Sequence, residues 1–141
     1  MELKIEGFGY ENTDSLKLSL ELRSQIFVQE LGFDKHLEFD GRDFKAMHYL
    51  LFYNSIPAGV ARWCQKNDEI IIDRFGILSQ FRKKGLGLVF IKFLIEDILP
   101  SKKKILLHTS VENASFFTQF GFKDPKVTEH LGVKEYLILN Y

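Results

Sequence analysis

The stretch Asp73-Arg-Phe-Gly-Ile-Leu-Ser-Gln-Phe-Arg82-Lys-Lys-Gly85-Leu-Gly87-Leu-Val-Phe90 runs from a strand-like segment, through a basic loop holding glycine, into a helical pattern. At such a junction the first helical turn leaves its backbone N–H groups without intrahelical partners, and the macrodipole adds roughly half a positive charge. The main chain alone can therefore hold an anion. Gly85 and Gly87 carry no Cβ to bar a phosphate from those amides, and Arg82, Lys83 and Lys84 add positive charge. A charge-assisted hydrogen bond there contributes ~1.5–3 kcal/mol. Other phosphate motifs fit worse: G-x-G-x-x-G needs glycine where Phe90 stands, and nothing matches G-x-x-x-x-G-K-[ST].

Working outward, Leu86, Phe90, Phe93, Leu94 and Ile98 share one helical face, and Pro100 marks the exit. Residues 105–110 read as a short apolar strand, 113–120 as a short helix closed by Gly121, and 133–139 as a last strand after a turn at Leu131-Gly132. Upstream, residues 69–78 are rich in β-branched and aromatic side chains, and Asn67-Asp68 makes a turn from a strand at 58–65. That strand forms a hairpin through Asn54-Ser55 with residues 46–53. Residues 2–8 alternate as a first strand. Asn12, Thr13 and Asp14 offer N-cap oxygens to a helix in which Leu16, Leu20, Phe27 and Leu31 recur with Leu22 and Ile26 alongside, ended by Gly32. The acidic stretch from Glu38 to Asp43 reads as an irregular connection or short helix. The order strand, helix, three strands, helix, strand, helix, strand predicts an α+β domain with helices packed on a mixed sheet.

At 141 residues one domain spanning 1–141 is expected, and 45% hydrophobic content with fourteen phenylalanines supplies its core. Nineteen basic and nineteen acidic residues cancel, which argues against a general binder of nucleic acid or acidic membrane. Cys64 is the sole cysteine, so it has no disulfide partner and no second thiolate for a zinc cluster; no metal is expected, and Cys64 reads as core. The N-terminal residues lack a signal-peptide pattern and no apolar run approaches the ~18 residues of a membrane span, so a cytoplasmic protein is expected. A homodimer stays open.

Arg82-x-x-Gly85-x-Gly87 between strand and helix resembles the acetyl-coenzyme A motif of the GNAT superfamily of acetyltransferases. Phe116-Phe-Thr-Gln-Phe-Gly-Phe122 looks like the same family's second motif, a short helix ending in Gly-Phe. Leu22-Arg-Ser-Gln-Ile-Phe-Val-Gln-Glu30, followed by Glu38, Asp40, Asp43 and His48, resembles the ElaA and YjcF-like branch, and the likeness covers nearly the whole chain. It implies a mostly antiparallel sheet of six to seven strands with three to four helices, splayed between the fourth and fifth strands. By that resemblance, the backbone from Ile77 through Leu78 to Ser79 pairs with the pantetheine arm of acetyl-coenzyme A. The amides from Arg82 to Leu88 hold the pyrophosphate, and Phe116 and Phe117 flank the pantetheine. The sequence departs from the family at Phe117, where many members carry a tyrosine that protonates the departing thiolate. It departs from the branch at Leu31 and Glu135, which stand for glutamine and histidine.

An alkylamine of pKa near 10.4 is protonated at pH 7, so exposing its lone pair costs about 4.6 kcal/mol unless the site helps. Candidate groups for that task are Glu30, His48 and Asp73, with Glu38 and Asp40 as further acids. Each of the three also has a plain structural reading: Asp73 as a surface carboxylate, His48 as a hydrogen-bonded histidine on a half-buried strand, Glu30 as a helix-surface charge. Glu30 and Arg23, seven apart, are expected on similar helix faces. The carboxylates at 38, 40 and 43 either attract a cationic amine or form a solvated acidic loop. The expectation is an N-acetyltransferase acting on a primary amine of a small molecule or peptide by direct transfer in a ternary complex. Two alternatives are a non-catalytic coenzyme A-binding module of the same fold and an unrelated phosphate-binding domain.

Overall fold

Seven strands form one sheet in the computed structural model, which describes residues 1–129 and 135–141. They are β1 (Leu3–Phe8), β2 (Met47–Tyr53), β3 (Ile56–Lys66), β4 (Glu69–Ile77), β5 (Lys104–Ser110), β6 (Lys123–Glu129) and β7 (Glu135–Asn140). Their order is β1-β2-β3-β4-β5-β7-β6, and only β4 and β5 run parallel. The element absent from the sequence reading is β6, whose Lys123, Pro125 and Lys126 suit an edge strand and obscure any alternation. The turn expected at Leu131-Gly132, and the start of the last strand at Val133, lie outside the described residues.

Four helices cover the sheet: α1 (Thr13–Arg23), α2 (Lys35–Glu38), α3 (Leu86–Ile98) and α4 (Ala114–Thr118). Phe90, Ile91, Leu94, Ile95 and Ile98 of α3 pack with Tyr49, Leu51, Ile72 and Leu107 of the sheet, each such side chain contributing about 1.5–3 kcal/mol on burial. Phe93, expected in that stripe, is instead 38% exposed and meets Tyr49 edge-on, because Ile91 and Ile95 take the inward flank. The opposite face carries α1, whose Asn12 side chain caps the amide of Ser15, as its composition suggests.

From Ser24 to Glu30 the α1 helix continues as a π turn, seen where Leu31 N–H donates to Ile26 C=O five residues back. Widening the turn breaks the 3.6-residue period. Ile26 and Phe27 are buried against Leu50, Val60 and Leu78, while Leu31, expected in the buried stripe, is 45% exposed. Gly32, at φ 74°, then ends the segment.

The register of β3 against β4 shifts between Val60↔Gly76 and Arg62↔Asp73, leaving Arg74 at φ 52° in a β-bulge. Before the bulge Ile70 and Ile72 face α3; after it Phe75 and Ile77 do. Asp73 therefore points to the α1 face, where it meets Arg62, although its parity matches Phe75 and Ile77.

Candidate active site

β4 and β5 pair from Glu69↔Lys104 to Ile72↔Leu107 and then part, although β4 continues to Ile77 and β5 to Ser110. A cleft of about 580 Å³ opens at this fork. Its walls come from both faces of the sheet: the start of α3 with Phe116 and Phe117 on one side, and Ile26, Phe27, Leu31 and Phe33 on the other. Gly76 and Ile77 supply one strand edge, His108, Thr109 and Ser110 the other. Among the described residues no strand fills the gap, so an extended ligand can lie along backbone groups there.

Gly85 is the left-handed residue before α3, at φ 77°, with no atom within 4 Å of where its Cβ would be. The first intrahelical bond runs from Val89 N–H to Gly85 C=O at 3.4 Å, which leaves the amides of Leu86, Gly87 and Leu88 without helix partners. Gly87 has a second reason to be glycine, since a Cβ there would stand 3.1 Å from the Phe116 ring. The two motifs read from sequence thus touch at this point.

Behind the β4 edge lies a buried ionic network. Arg62 is fully buried and forks onto Asp73, with Nε and NH2 each 2.8 Å from its oxygens, and also donates to Asp40 and Asp43. Arg23 donates to Glu38 at 2.9 Å and Asp43 at 2.6 Å, and Arg74 meets the other Glu38 oxygen at 2.9 Å and donates to Glu38 C=O. These contacts pin residues 38–43 to β3 and β4 and hold the bulge at Arg74. The carboxylates at 38, 40 and 43 thus spend their charge on arginines, neither forming a solvated loop nor standing free, and Asp73 is 4% exposed rather than a surface group. Burial by itself would raise Asp40, Asp43 and Asp73, but bonds and charge from Arg62, Arg23 and Arg74 outweigh it and hold all three carboxyls below the usual range. For Glu38 burial prevails and its pKa is raised.

These directions fix a pH dependence. The three aspartates, depressed in the fold, contribute stability that is whole above the unfolded value of about 3.9 and is lost as pH falls through their folded values. Glu38, raised in the fold, acts in the opposite sense, favouring the native state at low pH and losing that contribution as pH rises through its folded value. With three groups against one, the melting temperature is expected to fall steeply between about pH 4 and pH 2, and 1 M salt should shift it little because the pairs are buried. Melting curves that stay level down to pH 2 would contradict the network.

The profile described as Acetyltransferase (GNAT) domain matches residues 22–131, most of the chain and all of the fork. The chain belongs to the GNAT acetyltransferase family. It is similar to BSU40680 of Bacillus subtilis (strain 168), whose name calls it a candidate acetyltransferase, at 30% identity over 77% of this chain and 76% of that one. YjcF of the same organism, named an uncharacterized N-acetyltransferase, is 22% identical over 80% of this chain and 81% of its own. In fold the chain matches Escherichia coli ElaA, with TM-score 0.86, 20% identity and 99% of both chains covered. It also matches a GNAT acetyltransferase from Elizabethkingia anophelis with acetyl-CoA bound, with TM-score 0.71, 16% identity, and 98% and 96% covered. The expected family and fold are therefore found, and this GNAT protein is an acyltransferase.

Within the GNAT frame, Ile77, Arg82, Lys83, Gly85, Leu86, Gly87 and Leu88 line the cleft together with Phe116 and Phe117. Leu78 and Ser79 do not: Leu78 is buried on the α1 face with its N–H on Ala58 C=O, and Ser79 sits in an exposed turn. Lys84 holds its ammonium 5.7 Å over the Tyr53 ring, away from the cleft. Arg82 donates through Nε to Ile77 C=O at 2.9 Å and through its other nitrogens to both oxygens of Glu30.

None of Glu30, His48 and Asp73 lines the cleft. Glu30 is held by Arg82, and Asp73 by Arg62. His48 stacks on Phe8 and places Nε2 2.9 Å from Asp43 C=O, with burial pushing its pKa down. Arg23 and Glu30 bind different partners, because the π turn between them rotates the second away from the face of the first. Sequence reasoning missed Arg74, His108 and the β5 residues that follow it. The signal at 108 was a histidine interrupting an apolar strand, but only the parallel register of β4 and β5 sets it at the fork.

Proposed function

We propose that this enzyme moves an acetyl group from acetyl-coenzyme A to a primary amine of a small molecule or peptide, directly and within a ternary complex. The fork beyond Ile72↔Leu107 carries this reading, because it opens a path from the α3 start on one face to the apolar α1 wall on the other. The donor fits the residues present: free amides at Leu86, Gly87 and Leu88, beside Arg82 and Lys83, suit a pyrophosphate, and the edge of Ile77 suits the pantetheine amides. Phe116 and Phe117 then flank the arm, and a β4 backbone N–H polarises the thioester carbonyl. The donor supplies the activated acetyl group; the chain orients it and excludes water. The reading includes a cytoplasmic location, in keeping with that donor.

The test is a thermal-shift comparison of acetyl-coenzyme A, ATP and NAD, joined to an assay of free thiol with primary amines. Acetyl-coenzyme A at 100 times its Kd should stabilise the protein by about 2.7 kcal/mol, raising its Tm by several degrees, while NAD and ATP do much less. Equal shifts for the three, or no thiol release with any amine, would refute the proposal.

A further inference from the structure

None of the three carboxylate and imidazole groups first considered for proton transfer lines the cleft, yet an acceptor ammonium still has to lose a proton at the fork. Among the described residues that line the cleft, the ionisable side chains are Arg74, Arg82, Lys83, His108 and Glu112. Three of these are cations whose ordinary pKa lies far above neutrality. Glu112 lies on the exposed turn Val111–Asn113, at the rim. His108 is placed otherwise. It follows Leu107, the last β5 residue paired with β4, so it stands where the two strands separate. Ile105 and Leu107 face α3, which turns His108 to the α1 face, the face of Asp73 and of the apolar wall made by Ile26 and Phe27.

We propose that His108 is the general base that takes a proton from the acceptor ammonium. The assignment rests on the amine reading given above. Its surroundings keep the imidazole ready to accept. Burial lowers its pKa first, the Asp73 carboxylate on β4 works against this, and Arg42, Arg74 and Arg62 add to the lowering, so the ring is neutral at pH 7. Its register partner on β7, Ile138, and the facing Ile26 and Phe27 bring no charge.

The step balances as follows. Neutral His108 accepts one proton of the ammonium, and the lone pair so exposed forms the C–N bond to the thioester carbonyl carbon. The C–S bond breaks and its electron pair stays on sulfur. The surplus proton still on nitrogen passes to the thiolate, which requires nothing of Phe117, and His108 returns its proton to solvent. One ammonium and one thioester give one amide, one thiol and one proton.

The experiment follows kcat/KM against pH from 6 to 9.5 for the wild type and for His108→Gln. The acceptors are 2-phenylethylamine, cadaverine and Nα-acetyl-lysine, with acetyl-coenzyme A as donor. In the wild type kcat/KM should be level from pH 7 to 9, since the protonated amine is used. In His108→Gln it should be lower by about 10²–10³-fold at pH 7. It should then climb roughly tenfold per pH unit, because only the free amine reacts. Calorimetry should show acetyl-coenzyme A bound by the variant within about twofold of the wild type, as for a group that acts on the acceptor. Matching pH profiles for the two proteins would overturn this assignment alone. Thiol release with none of the three amines, donor binding intact, would overturn the amine reading and the assignment together. Should His108→Gln fail to fold, the wild-type profile decides: a tenfold rise per unit from pH 7 to 9 rejects a base at the fork.

Discussion

Gly87→Trp is expected to weaken acetyl-coenzyme A binding at least about a hundredfold, ~2.7 kcal/mol, while the protein keeps its fold. A Cβ at this position already comes within 3.1 Å of the Phe116 ring, so an indole can only extend into the cleft or push that ring into it. Either way the space in front of the Leu86–Leu88 amides is filled. Loss of fold is not expected to confuse the result, because Gly87 lies in the first turn of α3 and is half-buried, and glycine is the poorer helix former by up to about 1 kcal/mol. Calorimetric titration of the donor, beside a melting curve for each protein, makes the measurement. Unaltered affinity in a folded variant would show that the donor does not use this helix start.

The second large effect concerns stability. Arg62→Met should cost about 3–5 kcal/mol, which for a chain of this size lowers Tm by roughly 10–15 °C. Arg62 is fully buried and satisfies both oxygens of Asp73 besides donating to Asp40 and Asp43, so a thioether in its place leaves those carboxylates facing one another in a poorly hydrated site. That is a large fraction of the 5–15 kcal/mol by which a typical domain is stable. The paired change Arg62→Met with Asp73→Leu separates the attraction from the burial penalty: removing both charges should recover most of the loss, since replacing a whole buried pair by apolar groups is often close to neutral. A single variant that melts within about 4 °C of the wild type would show that the network carries little of the fold.

Local periodicity made most of the fold legible. Alternation in β1, the β-branched and aromatic run of β4, and the four-residue recurrence of Leu86, Phe90, Leu94 and Ile98 are each carried by neighbouring residues. The helix start at Gly85 was readable for the same reason, since its chemistry belongs to the main chain of one short segment. What escaped was non-local or irregular. The charges of β6 suit its place at the sheet edge and hide it. The π turn after Arg23 moves Leu31 out of the core and Glu30 onto Arg82, and neither residue announces this in the chain. Asp73 looked like a surface acid because Arg62, its partner, comes from another strand. The catalytic candidates failed to gather at the fork because each had a stronger claim on it elsewhere, and His108 came into view only once β4 and β5 were in register.

The bulge at Arg74 has a kinetic side. Arg74 donates to the main chain of Glu38 across 36 residues of sequence, so the shape of the fork is closed by a contact that neither β4 nor its hairpin with β3 can make. Bringing such distant segments together has an entropic cost that must be met before the contact rewards it. The fork should accordingly take form late, when α2 docks on an assembled sheet, and a nascent chain would acquire its capacity for acyl transfer only near the end of folding.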